Sequence, residues 1–218
     1  MKRDLNNSIV KKKWGEEYLV YRNQHLAMWL LKIDHQQQTS LHCHCEKETG
    51  LIVLDGVAKV SFLNNSTILK GLDKIQIFKK RFHSTKSLSK NGTYVLEIEH
   101  PEDKKDLIRF EDSYGREDLP YESDENYIDK REDCLNIEEG KEIFKYNCNF
   151  SIENITDKNQ LINRDFEDIA VILDGGIQCV DGRFLTSIGD VIAFHNFDIL
   201  LKKFSIAENT KILSIKKV

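Results

Sequence analysis

SLHCHCEKETGLIVLDG, residues 40–56, sets His42 and His44 two positions apart, follows each with a cysteine, and runs into an apolar strand that ends in Asp-Gly. Side chains at i and i+2 of a strand point to one face, so both imidazoles aim the same way and can share one ion. Cys43 and Cys45 alternate to the opposite face, where they read as small buried hydrophobes. A third ligand has to come from another strand, and His83, in KRFHSTKS after the strand KIQIF, supplies it. Three neutral imidazoles suit Fe(II), Zn, Ni or Cu, and added carboxylates shift the preference toward Mn or Fe.

Working outward, YLVYR, LAMWLLKI, GLIVLDGVAKVSFL, KIQIF, TYVLEIEH, IAVILDGGIQCV, DVIAF, ILLKKF and KILSIKK are short runs rich in β-branched and aromatic residues, separated by Asn, Gly and Asp turns. This pattern predicts an all-β protein built as a barrel or sandwich. Residues 100–142 break it, being dense in Glu, Asp, Lys and Arg and containing both prolines, and read as a connector or lid.

An internal repeat is visible. TGLIVLDGVAKVSF (49–62) and DIAVILDGGIQCVD (168–181) both place Leu-Asp-Gly between two strands, and both are followed by a Gly and an Asp before a further strand. Two copies of one β unit account for this. Superposing Gly56 on Gly175 sets Leu161 against His42 and Asn163 against His44, and superposing Asp73 on Asp190 sets Leu200 against His83. The second copy therefore lacks the candidate ligands, and His195 reads as a satisfied or surface residue.

Composition narrows the function. A chain of 218 residues accommodates two small domains. A net charge of -4 gives no basic surface for a nucleic acid. Neither a signal-type apolar segment nor a membrane span is legible, so a cytoplasmic protein is expected. Five scattered cysteines, an odd number, read as reduced thiols.

His42-x-His44, the apolar strand to Gly56 and the element from Gly71 to His83 resemble the two motifs of the cupin superfamily, small β-barrels with a metal in the mouth. Where cupins carry a Glu seven residues before the final Gly of the first motif, this chain has Thr49. Glu46 or Glu48 could replace it only if the loop bulges. In order along the chain, WGEEYLVY, SLHCHCEKETGLIVLDGVAKV and DLIRFEDSYGRE also resemble the C-terminal cupin domain of type II phosphomannose isomerases, over about 110 residues.

The resemblance implies a bicupin: a metal-binding barrel over 1–118, a charged linker over 119–142 and a degenerate barrel over 143–218. It also implies a divalent transition metal (Zn, Fe, Mn or Ni) on His42, His44 and His83. The expected partner is a sugar phosphate or nucleotide sugar, with no nucleic acid and no membrane, and the chain is expected to pair as a homodimer. Arg109, Tyr114 and Arg116 are the expected substrate-binding residues, and Arg116, Lys47 and Glu48 the expected catalytic ones. Isomerase- or epimerase-type chemistry, in surface polysaccharide biosynthesis, is the leading expectation. A non-catalytic sugar-binding cupin and a three-histidine Fe(II) dioxygenase are the alternatives.

Overall fold

The structure, a computed structural model, describes residues 4–115 and 126–218. The first half runs through β1 (Ser8–Lys12), β2 (Gly15–Arg22), β3 (Ala27–Ile33), β4 (Leu41–Cys43), β5 (Glu48–Asp55), β6 (Val57–Phe62), β7 (Ser66–Lys70), β8 (Lys74–Ile77), β9 (His83–Ser87), β10 (Thr93–His100) and β11 (Ile108–Glu111). The second half adds β12 (Tyr127–Asp129), β13 (Glu142–Lys145), β14 (Cys148–Ile155), β15 (Ile169–Asp174), β16 (Ile177–Gln178), β17 (Val191–Ala193), the helix α1 (Phe194–Leu200), β18 (Ser205–Ile206) and β19 (Thr210–Lys217). The chain is mostly β, as its pattern predicts.

Among the described residues the strands form a seven-stranded sheet in the order β12-β1-β2-β3-β10-β5-β8, a five-stranded sheet β11-β4-β9-β6-β7, a second five-stranded sheet β13-β14-β19-β15-β17 and the pair β16-β18. The seven-stranded sheet is the middle layer because both of its faces are apolar. Trp29, Leu31, Leu51, Val53 and Val95 pack with Ala58 and Val60 of the first five-stranded sheet. The alternate residues Met28, Leu30, Ile52, Leu96 and Ile98 pack with Phe150, Val171, Leu213 and Ile215 of the second. Burying a large apolar side chain fully stabilises by roughly 1.5–3 kcal/mol, so this double burial ties the two halves together. Gly50 lets the second layer approach: a Cβ there would meet Val191 Cγ2 at 2.6 Å.

The repeated motif folds the same way twice. Asp55 Oδ1 accepts the Gly56 N–H and Asp174 Oδ1 the Gly175 N–H, both at 2.8 Å, and both glycines have positive φ. Val53 N donates to Asp73 O and Ile172 N to Asp190 O, both at 3.0 Å. The Asp73 and Asp190 carboxylates in turn accept from Lys70 N and Ser187 N at 3.0 and 2.7 Å.

The halves differ beyond this motif. ILLKKF, expected as a strand, falls largely in the end of α1 and the turn after it. Phe194, Phe197 and Leu201 recur at helical spacing, and this stripe packs on Ala170, Ile172 and Ile212. Leu161, set against His42 by the repeat, is buried in that apolar cluster.

The charged stretch over 119–142, where it is described, is tied to both halves: Glu139 pairs with Lys211 at 2.8 Å and Glu142 opens β13 beside β14. β12 pairs with β1, Ile137 N donates to Val20 O at 2.9 Å, and Leu135 is buried in the core between the layers. Leu135 and Ile137 anchor it, and Lys130 reaches in to donate to Leu19 O at 2.7 Å.

Candidate metal centre

His42 lies on β4 directly opposite His83, the first residue of β9, and His44 follows β4 by one residue. The alternation of the strand brings the His42 and His44 rings to one side, at 4.9 Å between centroids, with His83 at 4.4 Å from His42 and 5.5 Å from His44. One ligand atom from each lies within 4.8 Å of the other two, and all three residues are buried.

Each Nδ1 is committed to a backbone carbonyl: His42 to Ser40 O at 2.8 Å, His44 to Asp106 O, and His83 to Arg81 O at 3.0 Å. A neutral imidazole that donates through Nδ1 keeps Nε2 as a lone-pair donor, the arrangement that orients metal-ligating histidines. His83 Nε2 is buried without a hydrogen-bond partner, so the residues present fit an ion. Burial, reinforced by His83 and His44, holds His42 well below the usual histidine range. Burial and the Lys47 charge take His44 down to about 3. His83 falls to about 4, chiefly through burial. All three are neutral at pH 7, as ligation requires.

Asp106 fixes the loop after His44. Its carboxylate accepts the backbone N–H groups of Cys45, Glu46 and Lys47 at 2.7, 2.9 and 2.9 Å. Burial alone would raise this carboxyl, but the three donors outweigh it and hold it below its usual value. Only its place at the start of DLIRF signals it in the sequence.

Beside the histidines lies a cavity of about 70 Å³ lined by His42, His44, Trp14, Thr39 and a set of charged groups. Lys47 is among them and is held by Glu99 at 2.6 Å, both side chains being at most 3% exposed. Lys104 bridges Glu99 at 3.4 Å and Glu17 at 3.7 Å and lies 3.7 Å from the centre of the Trp29 ring. Lys12 completes the chain at 3.5 Å from Glu17. Burial opposes charge on Glu99, yet Lys104 and Lys47 hold it down to about 2. Glu97 differs: burial and the neighbouring Glu99 push it up to about 7. Glu17, Glu97, Glu99 and Lys104 escaped the sequence reading because they come from β2, β10 and a charged loop, brought together only by strand order.

Arg109, opposite His42 on β11, lines the same cavity. Tyr114 does not; its hydroxyl donates to Gln37 Oε1 at 2.7 Å and braces the segment before β4. Glu48 shares a strand face with Gly50, turned toward the second half, and is not part of the cavity wall. Arg116 lies outside the described residues.

The fold and the centre together describe an antiparallel β protein with a buried group of three histidines able to hold a metal. No protein-family model matches the chain, and a search of curated proteins finds no match either. Solved structures similar to part of it include KdgF from Halomonas sp., 17% identical over 40% of this chain and 79% of that one, with a TM-score of 0.39. A protein assigned as a sugar phosphate isomerase from Acidithiobacillus ferrooxidans is 21% identical over 36% of this chain and 52% of its own, at 0.34. The capsular polysaccharide assembling protein CapF from Staphylococcus aureus is 14% identical over 48% of this chain and 34% of its own, at 0.44. The match thus spans about half and a third of the latter two proteins. These neighbours are cupin-type double-stranded β-helix proteins. No helix among the described residues is long and apolar enough to cross a membrane.

Proposed function

We propose that this chain is a metal-dependent cupin of bicupin plan, residues 143–218 being a degenerate copy, and that it acts on a sugar phosphate by isomerase- or epimerase-type chemistry. The observation that carries the reading is the trio of neutral imidazoles, each with Nδ1 bound to a carbonyl and one of them with a buried, unpartnered Nε2. His42, His44 and His83 would hold a divalent transition metal, which supplies Lewis acidity toward a sugar carbonyl or hydroxyl oxygen. Arg109 offers a guanidinium fork to the phosphate. Lys47, locked to Glu99, keeps positive charge at the cavity wall without leaving its pair.

Elemental analysis of the protein purified without added metal or chelator tests the centre. About one equivalent of a transition metal, lost in His42→Ala/His44→Ala, is expected. Metal-loaded protein is then incubated with hexose and pentose phosphates in deuterated water, where C–H exchange beside the carbonyl marks isomerase chemistry. Bound metal without exchange on any sugar phosphate would favour a binding role instead.

One feature favours a second reading. The metal-capable group among the described residues contains histidines and no carboxylate, a set also suited to ferrous oxygen chemistry. Oxygen consumption that requires Fe(II) and a small thiol would select it.

A further inference from the structure

The three candidate ligands are not held alike. His42 and His83 face each other in the ladder of β4 and β9, so sheet register fixes both. His44 lies one residue past β4, and its backbone tie, Lys80 N donating to its carbonyl at 2.6 Å, does not orient the ring. The ring is oriented by Asp106, whose carbonyl oxygen accepts from His44 Nδ1. The same residue turns its carboxylate on the three N–H groups that follow His44: Oδ1 accepts from Cys45 at 2.7 Å, and Oδ2 from Glu46 and Lys47, each at 2.9 Å. Successive N–H groups converging on one anion form a concave nest, and hydrogen bonds to a charged acceptor are roughly twice as strong as neutral ones. The Lys47 amine adds a further tie by donating to Asp103 O at 3.3 Å. All four residues of this clamp, His44 to Lys47, lie 59 to 62 positions before Asp106 in the chain, so only the fold brings them together.

On the reading of His42, His44 and His83 as a metal centre, we propose that Asp106 is its positioning residue: it sets the His44 ring for the ion and, through the same clamp, ties the ion to the cavity wall. The second effect follows from where Asp106 sits. Lys104 and Leu107, two residues before it and one after it in the loop between β10 and β11, both line the cavity, and so does Lys47, whose N–H it holds. An ion that fixes His44 therefore fixes Asp106, and with it the wall that a ligand meets. The coupling is reciprocal, so loosening the clamp weakens the hold on the ion by as much as the ion tightens the clamp. An alanine at this position leaves three N–H groups without their acceptor. An asparagine keeps an acceptor oxygen but no charge, and restores part of the clamp.

The full chain, stripped of metal, is titrated with cobalt(II) chloride and followed by visible absorption, and amide hydrogen exchange is read with and without the ion. The wild type is expected to bind about one equivalent. Asp106→Ala is expected to bind about 10–100-fold more weakly, the range in which loss of a ligand's supporting hydrogen bonds lowers metal affinity, and with a changed visible spectrum. Asp106→Asn should fall between the two. Exchange at the Cys45, Glu46 and Lys47 amides should speed up in Asp106→Ala while β14 and β19, paired in the second half, exchange as in the wild type. Cobalt should slow exchange at those three amides in the wild type and not in the alanine variant. Wild-type affinity and spectrum in Asp106→Ala, or an asparagine variant indistinguishable from the wild type, overturn the proposal and leave the metal centre standing. Weaker binding with faster exchange throughout β14 and β19 also overturns it, because the loss is then one of global stability. A wild type that binds no cobalt overturns the metal centre and the positioning role together.

Discussion

Thr49 stands directly opposite Glu99 across β5 and β10, its hydroxyl buried without a partner while the facing carboxylate is held by Lys47 and Lys104. Position 49 therefore holds a hydroxyl, and its strand partner is a carboxylate engaged in ion pairs. The centre that results is three imidazoles with an acid–base network behind them.

Replacing Thr49 with Val removes a buried polar atom that gains nothing where it is. An unsatisfied buried group costs about 1–3 kcal/mol, so Thr49→Val is expected to stabilise the fold by about 1 kcal/mol in urea denaturation. Metal content should not change. Loss of metal in this variant would mean that the hydroxyl takes part in the centre.

The Lys47–Glu99 pair should behave as a buried unit. Truncating one partner leaves the other charge uncompensated, so Glu99→Ala is expected to cost about 3–5 kcal/mol even with Glu17 still near Lys104. In Lys47→Met/Glu99→Leu both charges are gone, and much of the loss should be recovered. A double-mutant cycle by chemical denaturation reads the coupling; additive losses would show that the pair is not a unit.

Much of this was legible in the sequence because it depends on local period. Alternation placed His42 and His44 on one face, and Leu-Asp-Gly announced a turn that forms twice with matching hydrogen bonds; Glu48, expected as catalytic, lies off the cavity wall. What escaped depends on which strands become neighbours. Glu97 and Glu99 read as ordinary polar positions in TYVLEIEH until β10 is seen between β3 and β5, facing Lys47 and Lys104. The helix at 194–200 escaped because its apolar stripe lies within a run of β-favouring residues, and packing against the third sheet decided the outcome.

The repeated turn gives a paired prediction. Gly175 has φ +63°, and a Cβ there would lie 2.6 Å from Thr210 Oγ1 and 2.8 Å from Thr210 Cα; Gly56 has φ +86° and would meet Gly92 O at 2.8 Å. Gly56→Ala and Gly175→Ala are each expected to lose about 2 kcal/mol or more. Gly71→Ala, where a Cβ meets nothing within 4 Å, should change stability little. Equal unfolding midpoints for all three variants would remove the turn argument.

The ion pair that ties the charged segment to the middle sheet sets a pH dependence. Glu16 on β2 accepts from Arg131 Nη2 and Nη1 at 2.5 and 3.2 Å and from Lys11 at 2.6 Å. Burial alone would raise its carboxyl, but the arginine and lysine win and lower it from 4.5 to about 2. Because the folded value is the lower one, the contribution is complete above pH 4.5 and disappears as the pH falls toward 2, where the unfolded chain binds a proton that the folded one resists. Arg131 is 45% exposed, so solvent screens the pair and its worth is put at no more than about 2 kcal/mol. Glu16→Gln should therefore be less stable than the wild type by a constant amount above about pH 5.5, with the gap closing between 4.5 and 2. Urea denaturation across that range reads the gap, and added salt should narrow it. Amide exchange in β12, which pairs with β1 just before Arg131, should speed up in the variant at neutral pH. A stability gap that stays flat through the acid range would assign the loss to packing instead of charge.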